Sequence, residues 1–177
     1  MIGDPLDTPR LFTMIEVDIN KSSGKWPLST HTVIQRCIQT CCDELMLNQY
    51  QAELSFVLHN DKDQAVLNQQ WRGKPKSTNV LSFPQIKPFS EPRGLLGDIC
   101  LAFETIASEA EANTLDFDHH LAHLVVHGFL HILGHDHEED KSAEIMQDIE
   151  KRVLARMGIN DPYGSHRVDQ MGPSGHG

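Results

Sequence analysis

No stretch of this 177-residue sequence approaches the ~20 apolar residues that a membrane-spanning helix requires. The start, Met1 to Arg10, is acidic and contains proline where a secretory signal would be basic and then apolar, so a cytoplasmic protein without membrane contact is expected. Cysteine is scarce: Cys37, Cys41, Cys42 and Cys100 form neither a C-x-x-C pair nor a spaced framework. Cys37 and Cys41 fall on the apolar stripe of a predicted helix, which points to core thiols in a reducing compartment. Positive charge is short as well. With 15 Lys and Arg against 25 Asp and Glu the net charge is −10, which argues against general nucleic-acid affinity and against DNA as a partner. The shortfall is uneven, because between Gln64 and Gly97 five basic residues (Arg72, Lys74, Lys76, Lys87, Arg93) are offset only by Glu91. One basic patch can therefore survive on an acidic body.

An apolar fraction of 39% and a charged fraction of 23% place the chain with folding sequences, not disordered ones, and its length suits one domain. Residues 1–10 read as an N-terminal tail, residues 11–157 as a single domain and residues 158–177, rich in Gly, Pro, Ser and His, as a flexible C-terminal tail. Within the domain, Ile15, Val17 and Ile19 alternate with acids as in a half-buried strand. Ser29 or Thr30 then caps a helix whose inward face runs Val33, Ile34, Cys37, Ile38, Cys41, Leu45. Leu54, Phe56 and Leu58 alternate in a second strand, and Asp61 opens a helix ending at Arg72-Gly73. Thr78 to Phe83 reads as a third strand stopped by Pro84, and Asp98 to Phe103 as a fourth. Three helices follow, from Glu104 to about Asn113, about Asp116 to Leu133, and Glu138 to Met157, with Gly158 at the C-terminal cap position. The outline is an α+β domain: a small mixed four-stranded sheet with packed helices.

Seven of the eleven histidines fall between His119 and His137. His127 and His131 stand four apart, on one helix face a single turn from each other, where two imidazoles can converge on one metal ion. Gly134 follows three residues later, where a left-handed cap reverses the chain, and His137 can then swing back as a third ligand. His123 lies on the same face, but about 12 Å of helix separates it from His131, too far for both to share an ion. Three neutral imidazoles leave one coordination position open, which is the catalytic and not the closed structural pattern, and bound water with a pKa near ~7 would make hydrolysis accessible. Two alternatives stand beside this: a polar stripe on a helix, and a sealed structural zinc, for which His135 is the candidate fourth ligand. The spacing H-x-x-x-H-x-x-G-x-x-H is also that of metzincin peptidases, in which a Glu general base follows the first histidine. Gly128 occupies that place, so a zinc peptidase ranks second.

The run His127 to His137 resembles the H-G-x-L-H-x-x-G-[YH]-D-H signature of the YbeY-type ribosomal RNA maturation factors. Trp71-Arg72-Gly73, Thr78 to Pro84 and Leu96-Gly97-Asp98-Ile99 support the resemblance, which spans about residues 12 to 157. It implies a zincin-like fold and a single-strand-specific, metal-dependent endoribonuclease. It also implies work in ribosomal RNA processing, notably at the 3′ end of the small-subunit RNA, and in ribosome quality control, with the ribosome or its proteins as partners. By the motif match, His127, His131 and His137 hold one zinc ion per chain, and Arg72 corresponds to the family's functionally important arginine. Pro75 and Ser77 depart from the Asp and Pro that many members carry.

The chemistry of phosphodiester cleavage agrees, since a guanidinium at Arg72 can clamp the negative charge that builds on non-bridging oxygens. A solvated cation ending a helix is the alternative role for Arg72. Lys74 and Lys76 suit a phosphate track or a plain surface, and Trp71 and Phe83 suit base stacking or the core. Asp136 is read first as a helix N-cap in an Asp-x-x-Glu box with Glu139, and second as an acceptor orienting a ligand imidazole. A non-enzymatic, ribosome-associated zinc protein is the third reading of the whole.

Overall fold

In the computed structural model, which describes residues 13–164, a four-stranded sheet carries five helices. The strands are β1 (Ile15–Lys21), β2 (Ala52–His59), β3 (Val80–Pro84) and β4 (Gly94–Ala102). Their order in the sheet is β1-β2-β4-β3, with β1, β2 and β4 parallel and β3 antiparallel on the outer edge. The helices are α1 (Thr30–Leu45), α2 (Asp61–Arg72), α3 (Phe103–Ala112), α4 (Phe117–Leu133) and α5 (Asp140–Arg156). This is the α+β arrangement expected from the alternation of strand and helix periods. The N-terminal tail of residues 1–10 and residues 165–177 of the C-terminal tail lie outside the described residues.

Alternation decides which side of the sheet is core. Leu54, Phe56 and Leu58 of β2 pair with Gly97, Ile99 and Leu101 of β4, and the five apolar side chains among them are buried in one core cluster with those of α1 and α4. Helix α4 is buried on most of its circumference, through Leu121, Val125, Phe129 and Leu130 among others, because it lies between the sheet, α1 and α5. The four cysteines are all buried and free. Burial pushes the Cys42 thiol up to about 11 and that of Cys100 to about 12, so both remain protonated core side chains.

Strand boundaries differ from expectation at β3 and β4: β3 starts at Val80, not Thr78, and takes in Pro84, which pairs with Gly97. β4 begins at Gly94, not Asp98, because Gly94 and Leu95 pair with Ala52 and Glu53 before a bulge shifts the register. Phe103 turns out of the strand to open α3, where it packs edge-on against Trp26 with ring centroids 5.4 Å apart. At α1, Ser29 stands at the N-cap but makes no cap bond; its hydroxyl donates to the Asp118 carboxylate in the first turn of α4 at 2.9 Å. Beyond α5 the chain stays on the domain as far as it is described: Ile159 packs against the core and Tyr163 reaches Glu150.

Candidate metal centre

The site is assembled on the C-terminal half of α4. Gly128 lets that helix approach the sheet: a Cβ there would stand 3.2 Å from Ile99, Ser82 and Val80, and the Ser82 hydroxyl donates to the Gly128 carbonyl at 3.0 Å. This close approach accounts for a glycine inside a helix, which ordinarily costs ~1 kcal/mol. It also means that position 128 faces the sheet, so a carboxylate base of the metzincin kind has no room there. The helix ends where Gly134 adopts φ +116° and its N–H and that of His135 return to the last turn. The loop between β3 and β4 seals this end: the Phe89 N–H donates to the Leu133 carbonyl at 2.8 Å, and a Cβ on Gly134 would sit 2.8 Å from the Phe89 nitrogen and Pro88 Cα. Gly134→Ala therefore combines a strained φ with a clash against backbone. It should destabilise the protein by about 2–5 kcal/mol and displace His137, measured by denaturant unfolding and by metal affinity.

Past that bend the chain returns His137 to the helix face. Its ring centroid lies 5.5 Å from that of His127 and 5.2 Å from that of His131. His127 Nε2 and His131 Nε2 are 3.0 Å apart, and one nitrogen from each of the three rings falls within 4.8 Å of the others. Nitrogens bound tetrahedrally at ~2.0–2.1 Å from a zinc ion stand about 3.3 Å apart, so the cluster is of the right size to hold a divalent ion. His135 points away, edge-on to Phe89 at 5.0 Å, and is not in this group. His123 also lies outside it, as its position one turn up the helix requires.

Behind the triad stands a residue that sequence reasoning missed. Glu150 of α5 is fully buried, and its carboxylate accepts from His127 Nδ1 at 3.0 Å, His123 Nε2 at 2.6 Å and the Tyr163 hydroxyl at 2.8 Å. The bond to Nδ1 sets the His127 tautomer and leaves the Nε2 lone pair aimed at the other two rings. Burial raises the Glu150 pKa, but the hydrogen bonds and charges of His123 and His127 outweigh it and hold the carboxyl at about 2. Burial, followed by the like imidazoles of His127 and His137, pulls His131 down to about 4. Both folded values lie below the ordinary 4.5 and 6.5, so at acid pH the unfolded chain binds more protons. The metal-free protein should thus lose stability as pH falls, from 6.5 toward 4 through His131 and from 4.5 toward 2 through Glu150. Thermal melts of chelated protein across the acid range test this; a midpoint that held or rose on acidification would contradict it.

In front of the triad lies a cleft of about 570 Å³, lined by His127, His131, His137, Asp136, Arg72 and Asn79 among others. Arg72 is exposed at the last turn of α2, where Gly73 in the left-handed region caps the helix. Among the described residues no carboxylate pairs with it. The loop that follows is held from within by buried side chains of α2: Asn68 donates to the Lys76 carbonyl at 2.7 Å, and Gln64 to those of Thr78 and Cys100. The capping box expected at Asp136 is absent. α5 starts at Asp140 with Glu139 as an N-cap that makes no side-chain bond, because residues 135–139 are used in returning His137 to the site. Asp136 instead closes its own turn, accepting from the Glu138 N–H at 3.3 Å, and lines the cleft.

Residues 16–158 match the family described as Endoribonuclease YbeY. The chain belongs to that family. Among curated YbeY endoribonucleases, one from Rhodopseudomonas palustris is 45% identical over 157 residues, covering 86% of this chain and 83% of its own. One from Rhizobium meliloti is 42% identical over 162 residues, covering 86% and 96%. The solution structure of TM1509 from Thermotoga maritima has the same fold, with a TM-score of 0.59, 23% identity and coverage of 92% of this chain and 99% of that one. No helix among the described residues is long and apolar enough to cross a membrane. In this YbeY chain the histidine signature thus forms one imidazole cluster, opening on the cleft that also holds Arg72.

Proposed function

We propose that this chain is a zinc-dependent endoribonuclease that cuts single-stranded ribosomal RNA, with the 3′ end of the small-subunit RNA as substrate and ribosome quality control as its setting in the cytoplasm. The observation that carries the reading is the convergence of His127, His131 and His137 on one point at the wall of an open cleft. The YbeY name of its relatives supports RNA as the substrate class. The donor set fits zinc: three nitrogen ligands, no thiolate, and a carboxylate behind one ring. When bound, zinc supplies a Lewis acid that lowers the pKa of water and neutralises charge developing on the phosphate.

The chain's own residues do the rest. Arg72 stands across the cleft and offers parallel N–H donors to the non-bridging oxygens, and Lys74 and Lys76, both exposed, extend the positive track for the strand on either side. Glu150 keeps His127 in one tautomer and one orientation. The β3–β4 loop, through Phe89 and Pro88, holds the bend that presents His137.

The experiment is cleavage of a single-stranded ribosomal RNA fragment before chelation, after it, and after zinc is restored, with a peptide library as the control substrate. Loss and recovery of RNA cutting is expected; cutting that survives chelation, or peptide hydrolysis in its place, would overturn the proposal. In the same assay Arg72→Ala should lower cleavage by about 10²–10³-fold with zinc content unchanged, the usual effect of removing one donor from developing charge. Arg72→Lys should recover only part, since an ammonium lacks the planar fork.

A further inference from the structure

We propose that a second, apolar cleft beside the edge strand β3 is a nucleobase subsite, which takes one unpaired base of the RNA strand whose phosphate lies against the His127–Arg72 cleft. The inference rests on the endoribonuclease reading above and adds to it where the base next to the cut goes. The cleft measures about 680 Å³ and lies on the face of the sheet opposite α4. Its walls are Trp71 and Leu67 of α2, Phe83 of β3, and Val57 and Cys100 of the inner strands.

Three observations point to a base. First, Trp71 is 69% exposed, against 6% for Trp26, the chain's other tryptophan. Its ring meets Phe83 edge-on at 5.9 Å, which fixes the indole yet leaves it open for stacking. An indole so exposed is not core. Second, the cleft adjoins the metal centre across β3: Ser82 and Pro84 line both cavities, and Arg72, in the metal cleft, directly follows Trp71. β3 is the outer strand and only five residues long, so a strand crossing its edge can place a phosphate on one side and a base on the other. Third, the one acid in the wall, Asp98, faces the cleft with no cationic partner among the described residues. A carboxylate there repels a phosphate but accepts a hydrogen bond from a base N–H, so the backbone stays with Arg72 and the base enters here. A base paired and stacked in a duplex cannot reach the indole, which gives single-strand selectivity a physical cause.

The test uses the full-length zinc-loaded protein and single-stranded RNA oligonucleotides of one sequence, each with one abasic residue at a different position. For the wild type, an abasic residue at one position beside the cut should raise KM about 5- to 150-fold, the range of one base stacked on one aromatic. Trp71→Ala should raise KM for the intact RNA by a similar factor, hold kcat within a few-fold and lose its sensitivity to that one position, while Trp71→Phe keeps most of the affinity. Trp71 fluorescence should be quenched by the single strand and not by the same sequence in a duplex. Cutting of every abasic RNA with equal KM, or unaltered Trp71 emission on saturation, would overturn the subsite and leave the endoribonuclease reading standing. A wild type that neither binds nor cuts any of the RNAs would overturn that reading itself.

Discussion

His131→Ala should leave a folded protein that has lost both its zinc and its RNA cleavage. The residue sits in the last turn of α4, half-buried, at a helix position where alanine is the most favourable substitute, and its ring is held by His127 Nε2 at 3.0 Å and by a hydrogen bond with the His135 backbone. Losing these two bonds changes the stability of the metal-free protein by only about 1–3 kcal/mol. The effect on the metal is larger. A four-ligand zinc site is worth ~10–16 kcal/mol, so an equal share per ligand is about 2.5–4 kcal/mol, or roughly 10²–10³-fold in affinity. The comparison with Arg72→Ala is what gives the result its meaning: both variants lose cleavage, but only His131→Ala loses the ion. Zinc content by elemental analysis, measured beside cleavage, separates them. A His131→Ala protein that retained stoichiometric zinc would put the ion elsewhere.

Glu150 is the second position with a large expected effect, and here stability and metal binding should fall together. Its carboxylate sits at 0% exposure with three donors around it. Glu150→Ala leaves His123, His127 and Tyr163 facing a void, and the cost of breaking such a buried set from one side is about 3–5 kcal/mol. Glu150→Gln separates the two roles. The amide keeps the volume and can still accept from His127 Nδ1, but it carries no charge to strengthen that imidazole as a ligand, so zinc affinity should drop about 10–100-fold with a smaller loss of stability. A chelator-competition titration beside a denaturant melt reads both quantities. Equal zinc affinity in Glu150→Gln and wild type would reduce Glu150 to a packing role.

How much of this was legible in the sequence follows from the range of the interactions. The triad was legible because its geometry is local: a spacing of four places two rings on one face, and a glycine three residues on reverses the chain before His137. Gly128 was legible as a mismatch with the peptidase pattern, though only the packing against Ile99, Ser82 and Val80 shows how tightly the sheet approaches that position. Glu150 was overlooked although a local sign was present. Met146, Ile149, Val153 and Leu154 mark the buried stripe of α5, and an acid at position 150 falls inside it. Its partners were not legible, since His127 and His123 lie 23 and 27 residues away on another helix and no periodicity relates the two faces. β4 was read four residues short because a segment rich in Pro and Gly hides strand pairing that β2 supplies. Tyr163 was assigned to a tail by composition, which carries no information about one aromatic hydroxyl reaching a buried carboxylate.

The central claim is that three imidazoles and no other side chain hold one zinc ion, with a coordination position left for solvent or phosphate. A zinc-edge X-ray absorption spectrum of the purified protein tests this most directly. Three nitrogen scatterers of imidazole type at ~2.0–2.1 Å with one further light atom are expected. A sulfur shell near ~2.3 Å, or four imidazoles closing the coordination sphere, would contradict it.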